Sequence, residues 1–123
     1  MAKLSVRTFK DDEHALRHYL QQVDDCAEKA RYISPAQEAV YQQKLTEAMQ
    51  GYGSLIESEA IATGTDVRAV AAAVISQRKA WEVRAHTIEV QRIKAKSAVR
   101  KAATTVAKQA AVDAFKQQLT LLQ

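Results

Sequence analysis

The feature that most constrains the fold is the stretch at residues 65–123, which contains neither glycine nor proline. Its Ala, Arg, Lys, Gln and Val residues favour or tolerate helices. Apolar residues recur in it at seven-residue steps and at supporting helical offsets: Val67, Val70, Ala71, Val74, Trp81, Ala85, Ile88, Ala95, Val99, Ala102 and Val106. This spacing predicts one long helix with a single apolar stripe.

The predicted helix is too long for a compact domain of 123 residues. Fifty residues of helix extend for about 75 Å, whereas a globule of this size is only about 30 Å across. The helix must therefore break and fold back, or project and pack against another chain. Thr104 and Thr105 mark the weakest point, because adjacent β-branched residues lower helix propensity.

Three shorter helices are predicted upstream, over residues 11–31, 35–50 and 54–63. Ser34 and Pro35 are typical of a helix N-cap and first turn. Ser54 is predicted to start the third helix, Gly64 to end it, and Thr65 to cap the long helix. The apolar members predicted for the first helix are Leu16, Tyr19, Leu20, Val23, Cys26, Ala27 and Ala30. Those predicted for the second are Ala36, Ala39, Val40, Leu45, Ala48 and Met49.

The predicted fold class is all-α and the predicted organisation is a single domain. The three short helices are expected to pack on the start of the long helix, near residues 67–81. Residues 1–64 would form an acidic helical head and residues 65–123 a long basic helix. Residues 1–10 alternate apolar and polar side chains, which predicts a short extended arm.

Charge is divided unevenly along the chain. Residues 1–66 carry seven Lys/Arg and eleven Asp/Glu, a net of −4, and residues 67–123 carry eleven and three, a net of +8. Opposite halves of this kind can attract one another between copies, or direct the basic half to an acidic partner.

Composition argues against several classes of protein. No run approaches the roughly 20 apolar residues of a membrane span, and the first residues lack the apolar core of a signal peptide. The sequence therefore predicts a soluble protein that starts at or near Met1. The single cysteine, Cys26, excludes an intrachain disulfide.

No catalytic or cofactor-binding motif is recognisable. His14 and His18 share a helix face, but two ligands alone make no closed metal site. Cys26 lies on an apolar stripe beside Asp24 and Asp25, and acidic neighbours raise a thiol pKa rather than activate it. The sequence predicts no enzyme activity, no cofactor and no metal.

Basic residues are the clearest functional feature of the long helix. The candidate polyanion contacts are Arg84, Arg92, Lys94, Lys96, Arg100, Lys101 and Lys108. A helix that contacts DNA or RNA nonspecifically would have this composition. So would a helix that packs against the acidic half of a neighbouring subunit.

One segment, residues 55–99, resembles a helix–glycine–helix segment that recurs in small proteins of tailed bacteriophages. The residues that carry the resemblance are Leu55, Ile56, Glu57, Glu59, Ala60, Ala62, Thr63, Gly64, Val70, Ala71, Val74, Ile75, Trp81, Ile88, Glu89, Arg92, Ala95, Lys96, Ala98 and Val99. The resemblance implies a role in the virion or its assembly, with many copies in a ring or shell. It implies a location in the particle and, during assembly, in the host cytoplasm.

The expected function is therefore that of a non-enzymatic structural component of a tailed-phage particle: a tail, neck, capsid-associated or ejected protein. Copies would self-associate through the long helix and contact other virion proteins, with neighbouring chains burying residues 95–122. The predicted oligomer interface comprises Val67, Val74, Trp81, Ile88, Ala95, Val99, Ala102, Val106, Phe115 and Leu119. The alternative is a nucleic-acid-binding or assembly-accessory protein that uses the basic helix at residues 84–108.

Overall fold

The computed structural model describes residues 12–122, and every regular element in that range is an α-helix. The helices are α1 (Asp12–Arg31), α2 (Pro35–Gln50), α3 (Ser54–Thr63), α4 (Val67–Lys101) and α5 (Thr105–Leu121). The predicted all-α class is confirmed for this part of the chain. The arm predicted at residues 1–10 lies outside the described residues.

Most of the predicted helix ends are confirmed. Ser34 caps α2, and its Oγ accepts a hydrogen bond from the backbone N–H three residues later at 3.2 Å. Gly64 ends α3 with φ 70°. The prediction that Thr65 caps the next helix is wrong, because Asp66 Oδ1 accepts from the backbone N–H of Ala69 at 2.7 Å. A carboxylate suits this position because it also faces the positive end of the helix dipole.

The long helix breaks where its sequence is weakest. α4 ends at Lys101, and Thr104 takes an extended conformation with φ −129° and ψ 160°. Its Oγ1 accepts a hydrogen bond from the backbone N–H of Ala107 at 3.1 Å and so caps α5. A Thr side chain can satisfy a free N–H of a helix start, which it cannot do in mid-helix. Of the two alternatives left by the sequence, the structure shows a helix that folds back.

Lys108 of α5 stabilises the break between α4 and α5. Its side chain is buried, and Nζ donates hydrogen bonds to the backbone carbonyls of Val99 at 2.9 Å and Ala102 at 2.8 Å. The last carbonyls of a helix have no partner within the helix, and a cation near them also complements the helix dipole. Lys108 thereby stabilises the end of α4.

We expect Lys108→Met to destabilise this hairpin by about 1–3 kcal/mol, because it keeps the buried stem but removes the Nζ donor from the carbonyls of Val99 and Ala102. Lys101→Met is the matched control, since Lys101 is exposed at the helix end, and we expect its effect to stay within about 0.5 kcal/mol. Urea denaturation followed by circular dichroism measures both. Equal loss of stability in the two variants would show that the Lys108 hydrogen bonds contribute nothing.

The described residues form two compact units. The terminal unit contains α1, the part of α4 from Ala85 onward, and α5; the central unit, Ile33–Arg84, contains α2, α3 and the first part of α4. The terminal unit has a core of residues from all three of its helices: Tyr19, Val23, Ala27, Ile88, Ala95, Val99, Val112, Phe115 and Leu119. The apolar face predicted for α1 is confirmed, since each of its seven residues belongs to this core or packs against it.

The core of the central unit is smaller. It consists of Ala48 from α2, Ile56 and Ala60 from α3, and Val70, Ala71 and Val74 from α4. The apolar face predicted for α2 is wrong for four of its six residues, because Ala36, Ala39, Val40 and Met49 are exposed. Glu47, a charged residue, is buried in their place.

Two packing expectations need correction. α1 packs on the second part of α4 and on α5, rather than near residues 67–81. Ala95, Val99, Phe115 and Leu119 are buried by the chain's own helices, so the prediction that neighbouring chains bury residues 95–122 is wrong for these four. The physical reason is the break at Thr104, which returns α5 to cover the stripe that a straight helix would have left open.

Candidate functional site

The residues predicted as an oligomer interface are divided among different environments. Ile88, Ala95, Val99, Phe115 and Leu119 lie in the core of the terminal unit, and Val74 lies in that of the central unit. Val67 packs against the central core and Ala102 is half-buried. Only Trp81 and Val106 are exposed. These two are the members of the stripe that a partner can reach without unfolding the chain.

Two of the predicted polyanion contacts form ion pairs within the terminal unit. Arg92 binds Glu89 with two nitrogens, at 2.9 and 2.8 Å, and Asp24 Oδ1 at 2.7 Å. Lys96 Nζ donates to both oxygens of Asp24, at 3.1 and 2.9 Å. Arg31 lies 3.7 Å from Glu89. The acidic and basic halves of the sequence therefore attract each other partly within one chain.

The network shifts the pKa of its acids. Burial works to raise the pKa of the Asp24 carboxyl, but hydrogen bonds and charges of Lys96 and Arg92 outweigh burial and hold it below its usual value. The hydrogen bond from Arg92 lowers the pKa of Glu89. Hydrogen bonds to Glu89 and Asp24 raise the pKa of Arg92, so Arg92 stays charged across the physiological range.

Asp24 makes the stability of the terminal unit depend on pH. Because its pKa is lower in the folded chain, its contribution to stability is present above the ordinary pKa near 4 and is lost as pH falls below it. We expect Asp24→Asn to cost about 1 kcal/mol or less at neutral pH, since the side chain is 36% exposed and screened by solvent.

The control for Asp24 is its neighbour Asp25, whose carboxylate accepts a hydrogen bond from Gln21. Thermal melts at pH 7 and pH 3 should show a smaller acid-induced loss of stability in Asp24→Asn than in the unaltered protein or Asp25→Asn. If all three proteins lose the same stability on acidification, the ion-pair network does not contribute.

The other predicted cations also differ in availability. Lys108 belongs to α5, and its side chain is buried against the C-terminal end of α4. Arg84 is half-exposed. Lys94, Arg100 and Lys101 are exposed and form no ion pair within residues 12–122. The seven predicted contacts are thus reduced to three cations that are both exposed and free of internal ion pairs.

Acidic side chains in the central unit have structural roles. The buried carboxylate of Glu47 accepts hydrogen bonds from the backbone N–H groups of Leu55 at 2.9 Å and Ile56 at 3.1 Å. Gln43 Nε2 donates to its other oxygen at 3.1 Å. These N–H groups open α3 and have no partner within the helix, so Glu47 acts as its cap from another helix.

Glu57 and Asp66 have similar roles, at the N-termini of α3 and α4. His18 is exposed and His14 is half-exposed, while Cys26 packs against the terminal core. Within the described range, no three His, Cys, Asp or Glu side chains are grouped so as to hold a metal ion.

The central unit has an open cleft of about 210 Å³ between α2 and α4. Its apolar lining consists of Ile33, which lies just before α2, Tyr41 and Leu45 of α2, and Val74 and Trp81 of α4; we call it the α2–α4 cleft. Tyr41 is 45% exposed and Trp81 is 37% exposed. The guanidinium carbon of Arg78 lies 5.2 Å from the Trp81 ring centroid, a cation–π distance.

The charges at the edge of the cleft are largely neutralised within the unit. Lys44 forms an ion pair with Glu59, and Arg78 Nε lies 2.9 Å from Glu82. The Glu38 carboxylate lines the cleft and has no ion pair among residues 12–122. The cleft thus combines two partly exposed aromatic rings with one carboxylate, that of Glu38, which has no ion pair among the described residues.

Of the residues that line the cleft, the sequence identifies Val74 and Trp81 on the stripe of α4 and Leu45 on the apolar face of α2, but not Tyr41. Tyr41 and Leu45 stand four residues apart, which places both on one face of a helix. Because the apolar residues of α2 do not form a clean stripe, that pair was not distinguishable as the wall of a cleft.

Comparison with known proteins finds no matching family model, no similar curated protein and no similar solved structure. None of the helices in the described range has both the length and the apolar character that crossing a membrane requires.

Proposed function

We propose that the protein is a non-enzymatic structural component of a tailed-phage particle whose copies associate with one another. The observation that carries the proposal is the set of large apolar side chains left exposed after both cores are filled. Within the described range these are Tyr32, Val40, Tyr41, Met49, Tyr52, Ile61, Trp81, Val83, Ile93, Val106 and Leu121.

Single exposed apolar residues are common on soluble proteins and need no explanation. Here seven of the eleven belong to the central unit, which holds fewer than half of the residues. Two of them, Tyr41 and Trp81, line the same cleft, and exposed apolar side chains that lie together are typical of surfaces that contact another protein. The resemblance of residues 55–99 to small tailed-phage proteins supports a particle as the setting, and the non-enzymatic role is supported by carboxylates that serve as helix caps and ion pairs.

Mass spectrometry of purified particles, from the phage or prophage whose genome encodes the chain, tests the setting. We expect its peptides in the particles at several copies each, because closed assemblies repeat one subunit. Absence from purified particles would contradict the proposal.

A nucleic-acid-binding function is the second candidate, supported by the exposed Lys94, Arg100 and Lys101. Three phosphate contacts give a salt slope no steeper than about −3, and so weak nonspecific binding. Fluorescence anisotropy with a DNA duplex should show such binding fall when the three are changed to Gln. Arg92 and Lys96 are unsuitable for this test, because changing them breaks the ion pairs with Asp24. If the unaltered protein binds no DNA or RNA at low salt, this candidate fails.

A further inference from the structure

The charged side chains that line the α2–α4 cleft differ in whether they have a partner. Lys44 is paired with Glu59 and Arg78 with Glu82, so both cations are neutralised within the central unit. The exposed carboxylate of Glu38 forms neither an ion pair nor a hydrogen bond in the described part of the chain. The cleft therefore offers one uncompensated negative charge, which favours a cation on the partner.

The aromatic side chains of the cleft also suit a basic partner. Tyr41 lies three residues after Glu38, so both are on one face of α2. The ring of Trp81 already has a cation against it, since the guanidinium carbon of Arg78 lies 5.2 Å from the ring centroid. The aliphatic stem of a lysine or arginine packs on such rings while its charged end stays in water. One basic side chain can therefore contact the rings and the carboxylate together.

Two amide side chains in the cleft suit the backbone of a peptide. Gln42 and Gln77 line the cleft, and neither side chain forms a hydrogen bond within residues 12–122. Each amide has donors and an acceptor, so the pair can bind the N–H and C=O groups of an extended segment. Such backbone groups need partners when the side chains beside them are buried. The amides thus favour a peptide over an isolated cation.

The size of the cleft limits what can enter it. Small-molecule sites usually enclose about 300–1,000 Å³, whereas this cleft has about 210 Å³ and is open. That space equals about seven waters at their liquid volume. It suits one or two side chains of a peptide segment that runs across the opening.

We propose that the α2–α4 cleft binds an extended basic segment of a different protein, in which a lysine or arginine lies next to an apolar residue. The apolar side chain enters the cleft beside Tyr41 and Trp81, and the basic residue packs its stem on the rings and directs its charge to Glu38. An acidic segment, a nucleic acid or an identical cleft brings negative charge to Glu38 and is disfavoured. The inference goes beyond the proposed function, because a monomer could bind such a segment equally well.

Three acetylated and amidated hexapeptides test the chemistry of the partner: leucine alternates with lysine in the first, with glutamine in the second and with glutamate in the third. Each is titrated into the full chain, and the fluorescence of Trp81, the only tryptophan, reports on the cleft. We expect the lysine peptide to bind about threefold more tightly than the glutamine peptide and about tenfold more tightly than the glutamate peptide. The net charge of +4 would by itself favour the glutamate peptide, so this order reports on Glu38.

Glu38→Lys is the variant that tests the site, and Glu28→Lys is its matched control. Glu28 is an exposed carboxylate of α1, lies in the terminal unit and forms no ion pair among the described residues. Both variants change the net charge equally, and lysine is a good helix former. Glu38→Lys should weaken binding of the lysine peptide about tenfold and make the glutamate peptide the tighter ligand, whereas Glu28→Lys should change neither by more than about twofold.

Four outcomes would overturn the inference: tightest binding of the glutamate peptide by the unaltered chain, equal effects of the two variants, no saturable change in Trp81 fluorescence, or protection of Trp81 by the chain itself. The last would appear as acrylamide quenching that decreases as protein concentration rises without peptide. It would show that another copy occupies the cleft, and self-association would stand. A chain that stays monomeric but binds the three peptides in the expected order would contradict self-association and support this inference.

Discussion

Val99→Asp should unfold the terminal unit, whereas Val106→Asp should leave its stability within about 0.5 kcal/mol of the unaltered protein. Both changes put a carboxylate on the stripe of the predicted long helix. Val99 is fully buried among α1, α4 and α5, and Val106 is 52% exposed. An unpaired charge in a core costs about 4 kcal/mol or more, a large part of the 5–15 kcal/mol that stabilises a typical domain.

Thermal and urea unfolding followed by circular dichroism measure this difference. Had neighbouring chains buried this stripe, both variants would dissociate an oligomer and leave the helices folded. Equal behaviour of Val99→Asp and Val106→Asp would contradict the burial that the hairpin of α4 and α5 provides.

Gly53→Ala should destabilise the central unit by about 3–4 kcal/mol, because it combines backbone strain with overlap of buried atoms. Gly53 has φ 151°, and a Cβ atom there would overlap the side chain of Glu47. Glu47 cannot move aside without losing the hydrogen bonds by which it caps α3.

Gly51→Ala is the matched control from the same turn. Gly51 has φ 88°, but a Cβ atom there meets no neighbour within 4 Å. Its substitution should cost only the left-handed conformation, about 1–2 kcal/mol. Trp81 lies in the central unit, so urea unfolding followed by its fluorescence compares the two variants. Equal destabilisation would show that contact with Glu47 adds nothing at Gly53.

Local chemistry made the helix ends predictable from sequence. Ser34 and Gly64 each act through their own backbone conformation or through an N–H within one turn. The sequence marks Thr104 only as a weak point, and its role as the cap of α5 is seen in the structure. Effects of such short range depend only on neighbouring residues, so a single sequence carries them. The apolar face of α1 was predictable for the same reason, since i, i+3 and i+4 spacing fixes which residues share a face.

The sequence does not show which helix packs against each apolar face. One stripe runs from Val67 to Val106 in the sequence, yet Val70 and Val74 belong to the central core while Ile88 and Val99 belong to the terminal core. Spacing identifies a face but not the helix that covers it, so α1 was placed against the wrong part of α4. The seven-residue period also continued through Trp81, which is left partly exposed between two sets of buried residues.

Polar side chains that act over longer separations were also missed. Glu47 caps amides eight and nine residues away, and Lys108 reaches a carbonyl nine residues back. Neither spacing is a local helical one, so each contact exists only once the turn between the helices has formed. The sequence predicts a polyanion as the partner of Arg92 and Lys96 for the same reason, since Asp24 lies 68 and 72 residues away in sequence.

Sedimentation equilibrium of the unaltered chain tests the central claim, that folded copies associate, most directly. The range from about 1 to about 300 µM brackets the dissociation constants expected of a weak interface. We predict a molar mass that rises reversibly with concentration from 13.6 kDa toward a multiple of that value. A single 13.6 kDa species over the whole range would contradict the account.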